Sequence, residues 1–314
     1  GIWVAALREL ADTAESLGDQ ASTHVLRRRA ERARAALEAT FHEADADRYA
    51  LNVRRDGDAW RRDLTQTAAH AVPLLLGSAS PERARPWYDA VAGNDFTAPW
   101  GVRLLPRSHP DYDPGDEHGA VRPLHTGWVS WAEYAAGRAE SAFRHWRMAL
   151  DRGFDLARGA WAEALRGDEP RPIGCCHDHA WSTAMTVAPL VYGMLGAEPD
   201  APKHRLRLRP QIPAEWDRLD VDRLRVGDAE LSLRYRREDD RHIFHLDPTS
   251  GAVPLRVIFE PALPGEHVAA ARVDGQDADL EPRAFGERIL APLQVVLDHE
   301  RVVEIESTPD PEEP

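Results

Sequence analysis

WAEALRGDEPRPIGCCHDHAWSTAM, residues 161–185, interrupts a helical pattern with a polar loop. The loop holds glycine, proline, carboxylates and imidazoles, and Trp161 and Trp181 stand on either side of it. Loops of this composition on a helical scaffold are where binding and catalysis concentrate. An acidic, arginine-rich surface loop with one buried tryptophan is the alternative interpretation.

Around this loop, apolar residues recur at spacings of three and four, which predicts amphipathic helices arranged as antiparallel hairpins. A short strand is predicted over residues 49–53. Residues 94–123 form a long connection, and a compact domain rarely carries one without a functional reason. The predicted helices cover residues 3–17, 22–41, 64–76, 81–92, 124–136, 139–150, 156–165 and 180–195.

Beyond Pro199 the apolar period changes to two over short runs between turn residues, which predicts an antiparallel β-sandwich. The hairpins before it are typical of part of an α/α toroid, an (α/α)6-type barrel, with an ordinary helical bundle as the alternative. The expected domains are a partial catalytic-type toroid over 1–200, a β-sandwich over 201–306 and a disordered tail over 307–314.

The charge balance argues against nucleic acid and anionic membrane surfaces as partners, because 39 basic and 53 acidic residues give a net charge of −14. A hydrophobic content of 43% allows large buried cores. No membrane span or signal segment is evident, and a cytoplasmic location is expected. Since the chain starts at Gly1 within a helical pattern, we expect further sequence before it. The oligomeric state stays open.

Two segments are candidate sites. Residues 112–128 combine acids, histidine and tryptophan at the start of a predicted helix, where free N–H groups favour ligand hydroxyls. Trp100, Trp128 and Trp131 have flat faces that suit sugar rings; the alternative for each is that it is simply a core residue. Glu163, near the end of a predicted helix, is the candidate carboxylate for acid or base catalysis on an acetal. A surface carboxylate is the alternative.

Cys175 and Cys176, with His177 and His179, raise the question of a metal site. Adjacent cysteines do not splay easily onto one tetrahedral ion, and no second cluster completes four ligands. The histidines are better interpreted as sugar-hydroxyl partners or structural residues. The chain has no phosphate-binding loop, dinucleotide fingerprint or serine-hydrolase elbow. No metal and no cofactor are therefore expected.

The ordered motifs YDP (112–114), HGAVRPLHTGW (118–128), EALRGD (163–168), GCCHDHAWSTAM (174–185) and PLVYGMLGAEPDAPKHRLRLRPQIPAEWDRL (189–219) carry a resemblance. The chain resembles the C-terminal half of bacterial glycogen-debranching, amylo-α-1,6-glucosidase-like proteins of the six-hairpin glycosidase superfamily, over residues 1 to about 235. The resemblance implies a barrel with an inverting pair of carboxylates that hydrolyses glycosidic bonds of a carbohydrate substrate without a cofactor.

By the same resemblance, Glu163 is the general base, and the general acid comes from an earlier hairpin. Within this chain Asp113 is the candidate acid. Two departures affect the sugar contacts: Arg122 stands where the family usually has tryptophan, and Asp178-His179 replaces the customary residues before Ala-Trp-Ser. The residues matched to the sugar-binding shell are His118, Arg122, Trp128, His177 and Trp181.

Two other functions are compatible with these residues. One is a non-catalytic carbohydrate-binding or structural remnant, which a missing acid opposite Glu163 would favour. The other is a lyase or isomerase on the same toroid, with His118 or His177 as the base.

Overall fold

The structure is a computed structural model that describes residues 1–154, 157–174 and 176–308. The chain divides into two units: Gly1–Ala136 with Ser141–Pro189, and Gly137–Glu140 with the chain from Leu190 onward. Over the described ranges, no helix is long and apolar enough to cross a membrane.

The first part of the chain is mainly helical and the second is rich in strands. This confirms the predicted order, with helices before Pro199 and strands after it. A complete toroid is not present in the described residues, where the helices number seven. They are α1 (Ile2–Ser16), α2 (Gln20–Phe41), α3 (Ala71–Leu75), α4 (Arg85–Ala92), α5 (Pro123–Ala135), α6 (Ala139–Asp151) and α7 (Ala180–Ala188).

Helices α1, α2, α5 and α6 begin and end within two residues of their predicted bounds. Apolar periodicity marks α1 because it has one buried face, formed by Val4, Leu7 and Ala11. Asp19 begins α2 as its N-cap, with a side-chain oxygen that accepts the Ser22 N–H at 3.0 Å.

Three predicted helices are shorter than expected. Over 81–92, a 3₁₀ turn precedes α4, which begins at Arg85. Over 64–76, the chain is extended at Thr67, which caps a 3₁₀ turn before the single short helix α3. Over 180–195, α7 ends at Ala188, and Pro189–Met194 continues as a π-helix. Pro189 has no N–H to donate to the carbonyl four residues earlier, so the α-helical pattern cannot pass through it.

The helix predicted over 156–165 is wrong. Residues 155 and 156 lie outside the described residues, but Gly159 has a φ of +82°, which an α-helix does not allow. Leu165 instead exchanges backbone hydrogen bonds with Val121 at 2.8 and 2.9 Å. Glu163 therefore lies on a loop next to a strand.

Short pairs of strands lie between the helices of the helical unit, and one of these pairs lies within the connection over 94–123. The chain turns back four times, since each pair is antiparallel. The pairs are β1 (His42–Glu43) with β2 (Arg48–Tyr49), β3 (Asn52–Asp56) with β4 (Ala59–Asp63), β5 (Thr97–Ala98) with β6 (Gly101–Val102), and β7 (Ala164–Leu165) with β8 (Pro172–Ile173).

The core of the helical unit lies where α5 packs against α3 and α7. Trp87 and Tyr88 of α4 are buried there, and the Tyr88 hydroxyl donates to the Ala132 carbonyl of α5 at 3.0 Å. A Cβ at Gly127 would lie 2.4 Å from Met185 Cβ. Glycine at this position therefore lets α5 and α7 approach closely.

The strand-rich unit contains three sheets. A four-stranded sheet has the order β20-β14-β10-β9, a six-stranded sheet β11-β12-β13-β21-β16-β17, and a small sheet β15-β19-β18. The strands are β9 (Glu198–Asp200), β10 (Arg205–Leu208), β11 (Arg218–Val226), β12 (Ala229–Glu238), β13 (Arg241–Ser250), β14 (Leu255–Phe259), β15 (Ala262–Leu263), β16 (His267–Val273), β17 (Gln276–Asp277), β18 (Arg283–Phe285), β19 (Arg288–Leu290), β20 (Leu293–Leu297) and β21 (Arg301–Thr308).

The two larger sheets share one apolar core, in which Phe244 of β13 meets Phe259 of β14 edge to face at 5.1 Å. The expectation of purely antiparallel pairing is wrong at one place, because β10 and β14 are parallel. Between these strands the chain leaves for the six-stranded sheet and returns in the same direction. The prediction of a disordered tail over 307–314 is wrong at Ser307 and Thr308, which belong to β21; residues 309–314 lie outside the described residues.

Candidate active site

Backbone β-bridges at Val121 hold three segments of the helical unit side by side. Val121 forms β-bridges to Arg103 on one side and to Leu165 on the other. Both contacts extend along the chain, because Leu104 N–H donates to the Ala120 carbonyl at 3.1 Å and β7 pairs with β8. The start of α5 and the polar loop around Glu163 are therefore neighbours.

Glu163 is fixed on this ladder by its backbone and its side chain. Its N–H donates to the Cys176 carbonyl at 2.9 Å. Its Oε1 accepts from the Arg122 Nη1 at 3.0 Å, with 29% of the Glu163 and 20% of the Arg122 side chain exposed. Within the described ranges, Glu163 Oε2 has no hydrogen-bond partner. One carboxylate oxygen is held and the other is available to a ligand or water.

Arg122 owes its position to the start of α5, where it is the N-cap in extended conformation. Pro123 takes the first helical position, where its missing N–H costs no hydrogen bond. The Arg122 carbonyl accepts from the Thr126 N–H at 3.0 Å and from its hydroxyl at 3.1 Å. A second guanidinium nitrogen lies 3.4 Å from Glu117, whose side chain is 83% exposed. The guanidinium therefore joins α5 to Glu163.

Asp113 lies on an exposed turn, where its Oδ1 accepts the Gly115 N–H at 2.8 Å. This turn rests on the segment after Glu163, because the Gly167 N–H donates to the Pro114 carbonyl at 2.9 Å. A Cβ at Gly167 would lie 2.2 Å from the Gly119 carbonyl oxygen, so only glycine fits. No direct contact joins Asp113 to Glu163 among the described residues.

His118 lies on the same exposed turn and contacts Asp116 through its Nδ1 at 3.2 Å. The hydrogen bond to Asp116, together with that carboxylate's charge, raises the pKa of His118. His118 is thus near the Arg122 end of the loop in sequence, but the described contacts tie it to Asp116 and not to Glu163.

Trp128 is partly buried one turn into α5, with its ring 5.2 Å from that of His125. Trp181 begins α7 with 67% of its surface exposed, and its ring lies 5.8 Å from His179. The His179 N–H donates to the Trp161 carbonyl at 2.8 Å, which closes the polar loop. His177 is exposed on that loop. Of the predicted sugar platforms, Trp181 presents the open face.

Two features escaped sequence reasoning. His125 of α5 is half-buried, and its Nδ1 is enclosed without a partner among the described residues. Desolvation of the ring, together with the charge of Arg122, lowers the pKa of His125 to about 4. Glu133 and His145 are fully buried and meet at 2.7 Å between α5 and α6. Each of these residues lies three or four positions from apolar residues of a predicted helix, and that spacing is the signal that could have found it.

Within the described residues, no group of three or more histidine, cysteine, aspartate and glutamate side chains is placed so that it could hold a metal ion. Cys175 lies outside the described residues. Cys176 is a free thiol whose Sγ contacts the Asp178 carbonyl at 3.4 Å.

The family model for the mannosylglycerate hydrolase MGH1-like glycoside hydrolase domain matches residues 1–182, more than half of the chain. The chain belongs to this family. The prediction of a glycoside hydrolase family is confirmed, because the matched model describes a glycoside hydrolase domain. The family model does not specify glycogen debranching.

Solved structures share the fold of the chain at low identity. A sialidase is 14% identical with a TM-score of 0.62, and the match covers 92% of this chain and 26% of that one. The Streptomyces avermitilis α-L-rhamnosidase complexed with L-rhamnose is 13% identical with a TM-score of 0.56, covering 96% and 26%. The chain with the MGH1-like domain thus spans about a quarter of the length of these structures.

A GH63 mannosylglycerate hydrolase from Thermus thermophilus in complex with glucose is 22% identical, with a TM-score of 0.48 over 58% of this chain and 44% of that one. This likeness is too low to support a statement about the fold. No curated protein sequence matches the chain.

Proposed function

We propose that the MGH1-like domain hydrolyses a glycosidic bond of an oligo- or polysaccharide with inversion, and that Glu163 is the general base. The observation that carries the proposal is the state of the Glu163 carboxylate: Arg122 holds one oxygen, while the other has no partner among the described residues. An inverting base needs a free carboxylate oxygen to take a proton from the attacking water.

The proposed substrate-binding residues come from two places: the loop before α5 together with α5, and the polar loop together with α7. Arg122 contacts Glu163 directly, and Trp181 offers an exposed indole face to a sugar ring. Trp128, His118 and His177 complete the proposed set. The arrangement requires no cofactor, since proton transfer to and from carboxyl groups suffices for acetal hydrolysis.

The general acid is the second part of the proposal. Asp113 is the candidate within the chain, because its turn rests on the segment that follows Glu163. Its carboxylate is exposed at this turn and accepts the Gly115 N–H. A carboxylate from sequence outside this chain is the other source.

For the linkage, we propose an α-glucosidic bond of the glycogen-debranching type, supported by the order of the motifs at 118–128, 163–168 and 174–185. A glycoside of an acidic aglycone is the second candidate, favoured by the family description, which names mannosylglycerate. A non-catalytic carbohydrate-binding remnant is the alternative from another functional class.

The test is hydrolysis by the full-length protein of a panel of α- and β-linked gluco-oligosaccharides together with mannosylglycerate, with the first-formed anomer read by proton NMR. We expect α-linked substrates to give the β-anomer first. Retention of configuration would contradict the assigned role of Glu163 as a base. Binding by calorimetry without turnover of any substrate would favour the remnant.

A further inference from the structure

Arg122 reaches Glu163 from a backbone that has little freedom. Its carbonyl accepts two hydrogen bonds from Thr126, and the Thr126 hydroxyl also accepts the Val102 N–H at 3.0 Å. Thr126 is fully buried. The arginine side chain therefore starts from a point fixed to both α5 and the β5–β6 hairpin.

The Glu163 side chain has no comparable anchor of its own. Its backbone is held by Cys176 and by the pairing of β7, but its carboxylate has one hydrogen bond among the described residues, the one from Arg122. A glutamate has three rotatable side-chain bonds, so its carboxylate samples several positions unless a partner selects one. Arg122 is that partner.

The contact also decides which oxygen is free. Arg122 Nη1 meets Oε1 at 3.0 Å, within charge-assisted hydrogen-bond range, and Oε2 is left for water. The other carboxylate at this guanidinium, Glu117, is 3.4 Å away and largely exposed, so its contact is weak. The pairing with Glu163 is the one that fixes the guanidinium.

From this geometry we infer that Arg122 is a positioning residue for hydrolysis: it fixes the Glu163 carboxylate through Oε1 so that Oε2 faces the attacking water. The inference rests on the proposed function. For Arg122 it replaces the sugar-binding role given above, because an arginine that acts through Glu163 changes the rate of the chemical step, whereas a ligand for substrate hydroxyls changes affinity.

The test compares Arg122→Gln, Arg122→Lys, Glu163→Gln and Arg122→Gln/Glu163→Gln in the full-length protein, with an activated aryl glycoside of the sugar that the panel identifies. We expect Arg122→Gln to lower kcat about 100-fold with KM nearly unchanged, since a misplacement of about 1 Å costs that much. Arg122→Lys keeps the charge and restores part of the loss. Glu117→Gln, which removes the weak partner of the same guanidinium, is the matched control and leaves kcat unchanged.

The double variant separates the two claims. If Arg122 acts through Glu163, Arg122→Gln adds no further loss of kcat to Glu163→Gln. A raised KM with unchanged kcat in Arg122→Gln, or a full additional loss in the double variant, would overturn the positioning role while leaving Glu163 as the base. Near-normal turnover by Glu163→Gln alone would instead overturn the proposed function. Equal melting temperatures show that the variants are folded, and Arg122→Lys carries the test if Arg122→Gln is not.

Discussion

Desolvation lowers the pKa of three histidines, His70 and His125 in the helical unit and His242 in the strand-rich unit, and the shift is large at the last two. In the helical unit, desolvation and then the charge of Arg122 lower the pKa of His125 to about 4. In the strand-rich unit, burial is the main cause that lowers the pKa of His242 to about 4, and its ring contacts the hydroxyls of Tyr235 and Ser307 at 2.9 and 3.1 Å. Neither ring is suited to carry a charge in the folded state.

This predicts a loss of stability on mild acidification. The unfolded chain takes up a proton at each histidine below a pH of about 6.5, while the folded chain does so only near pH 4. The unfolded state therefore binds more protons in this window, and the free energy of unfolding falls as the pH falls. By pH 5 the expected loss is roughly 2 kcal/mol for each histidine.

Urea unfolding at pH 7.5 and 5 measures this loss. His125→Gln should flatten the pH dependence of the helical unit and His242→Gln that of the strand-rich unit. His118→Gln is the control, because the pKa of this exposed histidine is shifted upward by Asp116 and not downward by desolvation. The account of His125 and His242 is wrong if both of their variants keep the wild-type difference between the two pH values.

Helices α5 and α6 are joined by a buried polar chain. Glu133 Oε1 accepts from the Ser141 hydroxyl at 2.6 Å, and its Oε2 meets His145 Nδ1 at 2.7 Å. On the other side, His145 Nε2 lies 3.2 Å from the Thr97 hydroxyl, which donates its proton to the Val91 carbonyl at 2.6 Å. These contacts join Glu133, His145 and Thr97 into one buried chain across the helical unit.

Glu133→Gln should therefore destabilise the helical unit strongly. It breaks one partner of a fully buried pair, which typically costs about 3–5 kcal/mol. Asp168→Asn is the matched control, because the Arg166–Asp168 pair at 2.8 Å is partly exposed and such pairs contribute about 0–1 kcal/mol. Thermal unfolding of the two variants compares their losses of stability. Equal decreases in melting temperature would show that burial of the Glu133–His145 pair does not increase its contribution to stability.

Elements with their own buried face could be predicted from the sequence, and elements defined by distant partners could not. The apolar stripe of α1 is a local pattern, and so is the alternation of β12. By contrast, Leu165 is a strand residue only because it pairs with Val121, and periodicity at 156–165 does not contain that information. The parallel pairing of β10 with β14 depends on the path of the chain between them.

The same distinction between local sequence patterns and contacts with distant residues applies to the candidate site. Arg122 came from motif resemblance, which compares residue types in order along the chain, and Glu163 came from both its local position and that resemblance. Their ion pair joins positions 41 residues apart and depends on the Val121–Leu165 bridge. His125 was missed because a histidine on a helix has the same sequence signal whether its Nδ1 is solvated or enclosed.

At the scale of the whole molecule, the net charge of −14 gives no basic surface excess to attract nucleic acid, and a carbohydrate substrate stays a proposal. The described residues hold seven helices and the chain spans 26% of the sialidase and rhamnosidase chains, so a closed toroid stays a proposal. The proposed catalytic base, its positioning arginine and the exposed Trp181 all belong to the helical unit.

The most direct test of the central claim is the kcat of Glu163→Gln in the full-length protein, measured beside its affinity for the same sugar by calorimetry. Glutamine keeps the shape and the contact to Arg122 but cannot accept the proton of water. We predict that kcat falls by several orders of magnitude, on the order of 10³-fold or more, while the dissociation constant stays close to that of the wild type. Near-normal turnover by Glu163→Gln would contradict the account.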